Sequence, residues 1–167
     1  MKKKLLKIKV LVMDVDGVLT DGRIIVDSHG KEIKIFDVKD GFGLVLLKRA
    51  GLKTAIISAR RAEAVTARAT DLKIEKIYQD ARQKIDAYEN LLKELSVRDD
   101  EVCFMGDDLP DLPVLKRVGF AVTVPNGVAE VKERCDYITK NDGGEGAVRE
   151  VVELILKAQG KWKSLVE

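Results

Sequence analysis

Residues Val10–Gly22 read VLVMDVDGVLTDG, four apolar residues running into two carboxylates, Asp14 and Asp16, with a single valine between them. The apolar run has the length and the valine content of a buried strand, expected over Ile8 to Val15. Positions i and i+2 at a strand end let Asp14 and Asp16 address one crevice at the carboxyl edge of a sheet. Two like charges so close repel, and a strand that ends on them needs a cation to join them. Oxygen ligands from one or two carboxylates, with water and phosphate completing an octahedron, are what Mg²⁺ prefers.

Outward from this stretch, RIIVDSHGKEIKIFDV (23–38) reads as two short strands around Ser28-His29-Gly30-Lys31, a β-hairpin with a glycine in its turn. The pattern then changes. GFGLVLLKRAG (41–51) reads as a helix stopped by Gly51, TAIIS (54–58) as a strand, AEAVTARATD (62–71) as a helix, EKIYQ (75–79) as a strand and QKIDAYENLLKEL (83–95) as a helix. Strand EVCFMG, helix DLPVLKRVG, strand FAVTV, helix GVAEVKERC, strand DYITK and helix GAVREVVELILKAQ continue the alternation. Short apolar strands between amphipathic helices predict an α/β fold, a three-layer, doubly wound parallel sheet covered on both faces, with the hairpin as its one insertion. In such sheets ligands bind beyond the carboxyl ends of the strands, so the residues just after each strand are the ones to inspect.

Three other strand ends carry complementary groups. GDDLPD places Asp107, Asp108 and Asp111 after EVCFM. TAIIS ends in Ser58, followed by Arg60, which together offer a hydroxyl, a backbone N–H and a guanidinium to phosphate oxygens. Lys84 opens the helix after EKIYQ and brings an ammonium to the same edge. An acidic pair, a further metal-binding carboxylate, a small hydroxyl donor and a lysine can attack phosphorus and neutralise the charge that develops, which is phosphoryl transfer.

The 167 residues, 46% hydrophobic and 35% charged, suit one domain spanning 1–167 that buries roughly 70% of its unfolded surface. A net charge of +2 with no long block of either sign points to neither nucleic acid nor membrane. Lys7 and Lys9 interrupt the apolar start, so no leader is expected, and no segment reaches the roughly 20 apolar residues that span a bilayer. Cys103 and Cys135 lie far apart without Cys-x-x-Cys spacing, as suits reduced thiols in the cytoplasm. His29 reads as a surface turn residue.

DVDGVLTDG, IISAR, Lys84 and GDDLPD follow the order and spacing of the four motifs of the haloacid dehalogenase-like (HAD) phosphohydrolases. With FDVKDGFG and GGEGAVREVVELILKAQG, the chain resembles their capless 3-deoxy-D-manno-octulosonate 8-phosphate (KDO 8-phosphate) phosphatases. That resemblance implies hydrolysis of KDO 8-phosphate to KDO and phosphate in lipopolysaccharide biosynthesis. It makes Asp14 the nucleophile and Asp16 the acid that protonates the leaving oxygen and then the base that activates water. Mg²⁺ would sit between Asp14, Asp107 and the Asp16 backbone carbonyl, while Ser58 and Lys84 hold the phosphoryl group. It implies substrate contacts from Asp16, Lys84, Asp37, Val38, Lys39, Asp40, Gly41, Arg60 and Arg68. Similar phosphatases form homotetramers in which hairpins meet and one subunit covers the next subunit's site. The hairpin over about 23–37, and the tail over about 160–167, are thus expected to line a neighbour's pocket.

Other readings are a phosphatase of another sugar phosphate, such as N-acylneuraminate 9-phosphate, and a non-enzymatic phospho-aspartate receiver-like module. A receiver has no need of an acid two residues beyond its phosphorylated aspartate, whereas Asp16 allows an acyl-phosphate to turn over. A phosphomutase must exclude water under a sizeable cap, and between Asp14 and Ser58 there is room only for a hairpin and a helix.

Overall fold

The computed structural model describes all 167 residues. α1 (Lys2–Leu5) leaves its three lysines in solvent, tucks Leu5 into the core and leads into β1 (Val10–Met13). There follow β2 (Ile25–Val26), β3 (Glu32–Ile33), α2 (Val38–Arg49), β4 (Lys53–Ile57), α3 (Glu63–Asp71), β5 (Lys76–Tyr78), α4 (Lys84–Leu95) and β6 (Val102–Met105). The chain continues through α5 (Leu112–Leu115), β7 (Phe120–Thr123), α6 (Ala129–Lys132), β8 (Tyr137–Ile138), α7 (Ala147–Ala158) and α8 (Lys163–Val166). The main sheet is six-stranded and parallel, in the order β5-β4-β1-β6-β7-β8.

Period-two geometry explains the three layers. Leu11 and Met13 of β1 join a core with α2, α3 and α7, while Val10 and Val12 point the other way into a second core with α4, α5 and α6. Both faces are covered, so β1 is apolar throughout and fully buried. On α7, Val148, Val151, Val152, Ile155 and Leu156 recur at helical spacing and are fully buried, each burial stabilising by roughly 1.5–3 kcal/mol. No helix is long and apolar enough to cross a membrane.

Three elements differ from expectation. α2 begins at Val38, three residues before the expected start, because the Asp37 side chain accepts from the N–H groups of Lys39 and Asp40 and caps it. α5 and α6 are single turns, too short for the amphipathic stretches that predicted them. The tail folds on its own chain: Trp162 stacks under the Arg149 guanidinium at 5.2 Å and the Lys157 ammonium at 5.1 Å, and Leu165 packs on the core.

The hairpin strands pair antiparallel, Val26 opposite Glu32. The Asp27 carboxylate accepts from the N–H groups of His29 and Lys31, and Gly30 supplies φ +77° at the turn. His29 is exposed at this tip. One side of the hairpin is apolar and open, with Ile25, Ile33 and Ile35 38–66% exposed, and Ile24 and Val26 on the other side are 57% and 55% exposed.

Candidate active site

β1 lies between β4 and β6, where successive connections leave to opposite sides of the sheet, and the chemistry-bearing residues meet at the carboxyl edge of these strands. Asp14 follows β1 directly. Its N–H donates to Met105 O at 2.9 Å, one carboxylate oxygen accepts from Val15 N at 2.6 Å, and the other lies 2.7 Å from Lys84 Nζ. Lys84, the first residue of α4, is buried and also donates to Asp111 Oδ1 at 2.6 Å. The fully buried Asp111 uses its second oxygen to accept from Asp107 N and Asp108 N, so one carboxylate fixes both the lysine and the loop that carries Asp107. Asp108 caps the turn that follows by accepting from Leu109 N.

Carboxylate oxygens of Asp14, Asp107 and Asp111 lie within 4.8 Å of one another. Burial, then the Asp111 charge, push Asp14 up to about 7 against the pull of Lys84. Asp107 is likewise pushed up to about 7 by burial and by the charges of Asp14 and Asp111. Burial works to lower the Lys84 pKa, but the two carboxylates outweigh it and hold the ammonium charged. Three carboxylates thus face one ammonium, and Asp107 Oδ1 is buried without a hydrogen-bond partner. An oxygen-preferring divalent cation fits this set: Asp107 Oδ1 has no partner and each Asp14 oxygen carries a single contact, whereas Asp111 Oδ1 holds Lys84 and Oδ2 already accepts two N–H groups. Gly17, at φ +90°, passes so close to Asp107 that any Cβ there would collide with its carboxylate.

Asp14, Asp16, Ser58, Arg60, Lys84 and Asp107 line a common cleft of about 240 Å³. Ser58 is buried, its N–H donating to Tyr78 O and its hydroxyl accepting from Arg60 N. Asp16 and Arg60 stand at the more open side.

Asp37, Val38, Lys39, Asp40, Gly41 and Arg68 do not line this cleft. All but Arg68 belong to the cap and first turn of α2. Val38 is 79% exposed, and Arg68 pairs with Asp71 and lies so close to Gly41 that a Cβ there would meet its guanidinium. Asp40 is 1% exposed and accepts from Arg149 N, in the first turn of α7, at 2.7 Å, which caps that helix. Asp40→Ala should therefore lower stability by about 1–2 kcal/mol, a melting shift of about 2–8 °C. Burial raises the Asp40 pKa from 3.8 to about 6, so its contribution is fully present below 3.8 and is withdrawn as pH rises through 6. The gap between wild type and variant, followed by circular dichroism, should thus be wider at pH 5 than at pH 8.

Two residues at the cleft escaped the sequence reading. Lys34, just beyond β3, is bonded to Asp16 Oδ1, and its neighbour Glu32 accepts from Arg60 at 2.7 Å. Burial works to lower the Lys34 pKa, but Asp16 and Glu32 outweigh it. The signal was the alternation KEIKI, which puts Glu32 and Lys34 on one side of the strand and Ile33 and Ile35 on the other.

A parallel sheet of this order, with an acidic cluster and a buried lysine at its carboxyl edge, is the arrangement of a known class, and the chain belongs to it: the haloacid dehalogenase-like hydrolase family matches residues 54–151. Within that class it belongs to the 3-deoxy-D-manno-octulosonate 8-phosphate phosphatases. It is 42% identical over 154 residues to the phosphatase of that name from Escherichia coli K12, across 92% of this chain and 82% of that protein. It superposes with a TM-score of 0.97 on the Moraxella catarrhalis phosphatase solved with a magnesium ion, a phosphate ion and a KDO molecule (45% identity, 99% of this chain, 95% of that one). The cobalt-bound Haemophilus influenzae phosphatase matches with a TM-score of 0.94 (36% identity, 98% of this chain, 96% of that one).

Proposed function

We propose that this protein is a Mg²⁺-dependent phosphomonoesterase that hydrolyses KDO 8-phosphate to KDO and phosphate. The observation that carries the reading is the meeting of Asp14 and Asp107 with the buried Lys84 in one cleft. Its substrate class follows from the family, whose Moraxella member was solved with KDO and phosphate. Asp14 and Asp107, with the Asp16 backbone carbonyl, would hold the ion, which when bound supplies positive charge that offsets the carboxylates and the phosphoryl oxygens.

An Asp14 oxygen attacks phosphorus as the bond from phosphorus to the sugar oxygen breaks, and Asp16 gives that oxygen its proton. Ser58 and the Lys84 ammonium hold the transferring oxygens. In the second half, the Asp16 carboxylate takes a proton from a water that attacks phosphorus, and the bond from phosphorus to Asp14 breaks. Water reaches the cleft because no cap domain is inserted before or after β4. Arg60 stands where its guanidinium can take a sugar-acid carboxylate.

Phosphate release with Mg²⁺ from KDO 8-phosphate and N-acylneuraminate 9-phosphate tests the reading. The first should give the highest kcat/KM; preference for the second would move the assignment to that sugar, and phosphorylation without turnover would mark a receiver.

The proposal extends to a homotetramer in the cytoplasm with shared active sites. Supporting it are the open apolar side of the hairpin, continued by Val38 and Phe42 at 79% and 49% exposure, and the two free cysteines. Wild type should sediment at about four times the mass of one chain, and Ile35→Asp with Val38→Asp should shift it to smaller species with altered selectivity. A fully active, selective monomer would contradict the shared site.

A further inference from the structure

The hairpin reaches back into the cleft with charge. The Lys34 side chain is 2% exposed, although Ile33 and Ile35 on either side are open to solvent. Its ammonium is bonded to Asp16 Oδ1 and lies 2.6 Å from Glu32 Oε1. The second Glu32 oxygen accepts from Arg60 Nη2 at 2.7 Å, and Arg60 Nε lies 3.8 Å from Asp16 Oδ2. Asp16, Lys34, Glu32 and Arg60 therefore close a ring of alternating charge at the mouth of the cleft. Burying an ammonium is unfavourable unless it is paired, and fixing a lysine gives up about 2 kcal/mol of rotamer freedom. A hairpin that served only to present isoleucines outward would leave this lysine in water.

We propose that Lys34, held by Glu32, is a positioning residue that fixes the Asp16 carboxylate for proton transfer to and from the reacting oxygens. The inference rests on the reading of Asp16 as the acid and base of a phosphatase. Lys34 occupies Oδ1, which leaves Oδ2 as the oxygen that carries the proton. In the first half-reaction that proton passes from Oδ2 to the sugar oxygen as its bond to phosphorus breaks and the bond from Asp14 to phosphorus forms. In the second, Oδ2 takes a proton from water as the water oxygen bonds to phosphorus and the Asp14 oxygen leaves. The same group acts twice in opposite directions, so it must hold one place through both steps. Asp16 precedes Gly17, whose φ of +90° makes a sharp turn, and the hairpin lysine is the direct anchor on its carboxylate.

General acid–base help is worth about 10²–10⁴-fold, and a misplaced carboxylate forfeits part of it. Lys34→Met should lower kcat for KDO 8-phosphate by about 10–100-fold with KM changed by less than about threefold, and Lys34→Arg should restore part of the loss. The deciding comparison is the leaving group. p-Nitrophenolate departs without needing a proton, so with enzyme in excess the first release of p-nitrophenolate from p-nitrophenyl phosphate should be nearly as fast in Lys34→Met as in wild type. The first release of KDO from KDO 8-phosphate should be slowed in full. Equal slowing of both would show that Lys34 only supports the shape of the site, and no slowing of either would remove it from the reaction. If wild type hydrolysed neither compound, the phosphatase reading itself would fall and the inference with it. If wild type were active on both and Lys34→Met matched it, the role of Lys34 alone would fall.

Discussion

Asp14→Asn is expected to cut phosphate release by on the order of 10⁵–10⁶-fold, the scale on which loss of a covalent nucleophile is felt, while thermal unfolding stays at or above that of wild type. An amide oxygen is too weak a nucleophile to form the acyl-phosphate, so the change removes the first bond-making step. The fold should tolerate it because asparagine keeps the shape and can still accept from Val15 N, and Lys84 keeps Asp111 as a charge partner. Burial and the Asp111 charge already push the Asp14 pKa up to about 7, so a neutral side chain there relieves repulsion instead of creating it. Phosphate release near the wild-type rate would rule out covalent catalysis at this residue. A collapse in melting temperature would show instead that the charge at position 14 holds the fold.

Removal of divalent cations is the second large effect. A chelator should reduce activity by at least about 10³-fold, the rate equivalent of the several kcal/mol of charge stabilisation such an ion supplies, and Mg²⁺ should restore it. Ca²⁺ should inhibit, because its longer bonds and looser geometry let Asp14 engage through both oxygens and lose its line of attack. Stability gives a readout independent of turnover. An ion that binds only the folded chain adds about 2.7 kcal/mol at a hundred times its Kd, so Mg²⁺ should raise the melting temperature. Asp107→Ala should lose most of that rise, since it removes the unpartnered buried oxygen at the cluster. Full activity after exhaustive chelation would contradict this part of the account.

The layers of the fold were legible because β1, β4, β6 and β7 are short apolar runs buried on both faces and the long helices carry their apolar residues at helical spacing. The gathering of Asp14, Asp16, Ser58, Lys84 and Asp107 was legible for a related reason. Each stands just past a strand or at a helix start, and a parallel sheet delivers all such positions to one edge. What stayed hidden depends on contacts between distant segments. Asp40 meets the start of α7 across 109 residues of sequence, so nothing local revealed its capping role. Lys34 is separated from Asp16 by 18 residues, and only the way the hairpin folds back decides that this lysine enters the cleft while its isoleucine neighbours stay outside.

The measurement that tests the central claim most directly is capture of the phosphoryl group on the protein. Asp16→Asn retains the nucleophile and should slow both formation and breakdown of the acyl-phosphate, so that with substrate in excess part of the enzyme is trapped as the intermediate. Mixing it with KDO 8-phosphate and Mg²⁺, quenching in acid and reducing with borohydride should convert Asp14 to homoserine, found by mass spectrometry in the peptide that spans Val10–Gly22. Consumption of KDO 8-phosphate with Asp14 unmodified, or with the mark on another residue, would contradict the account.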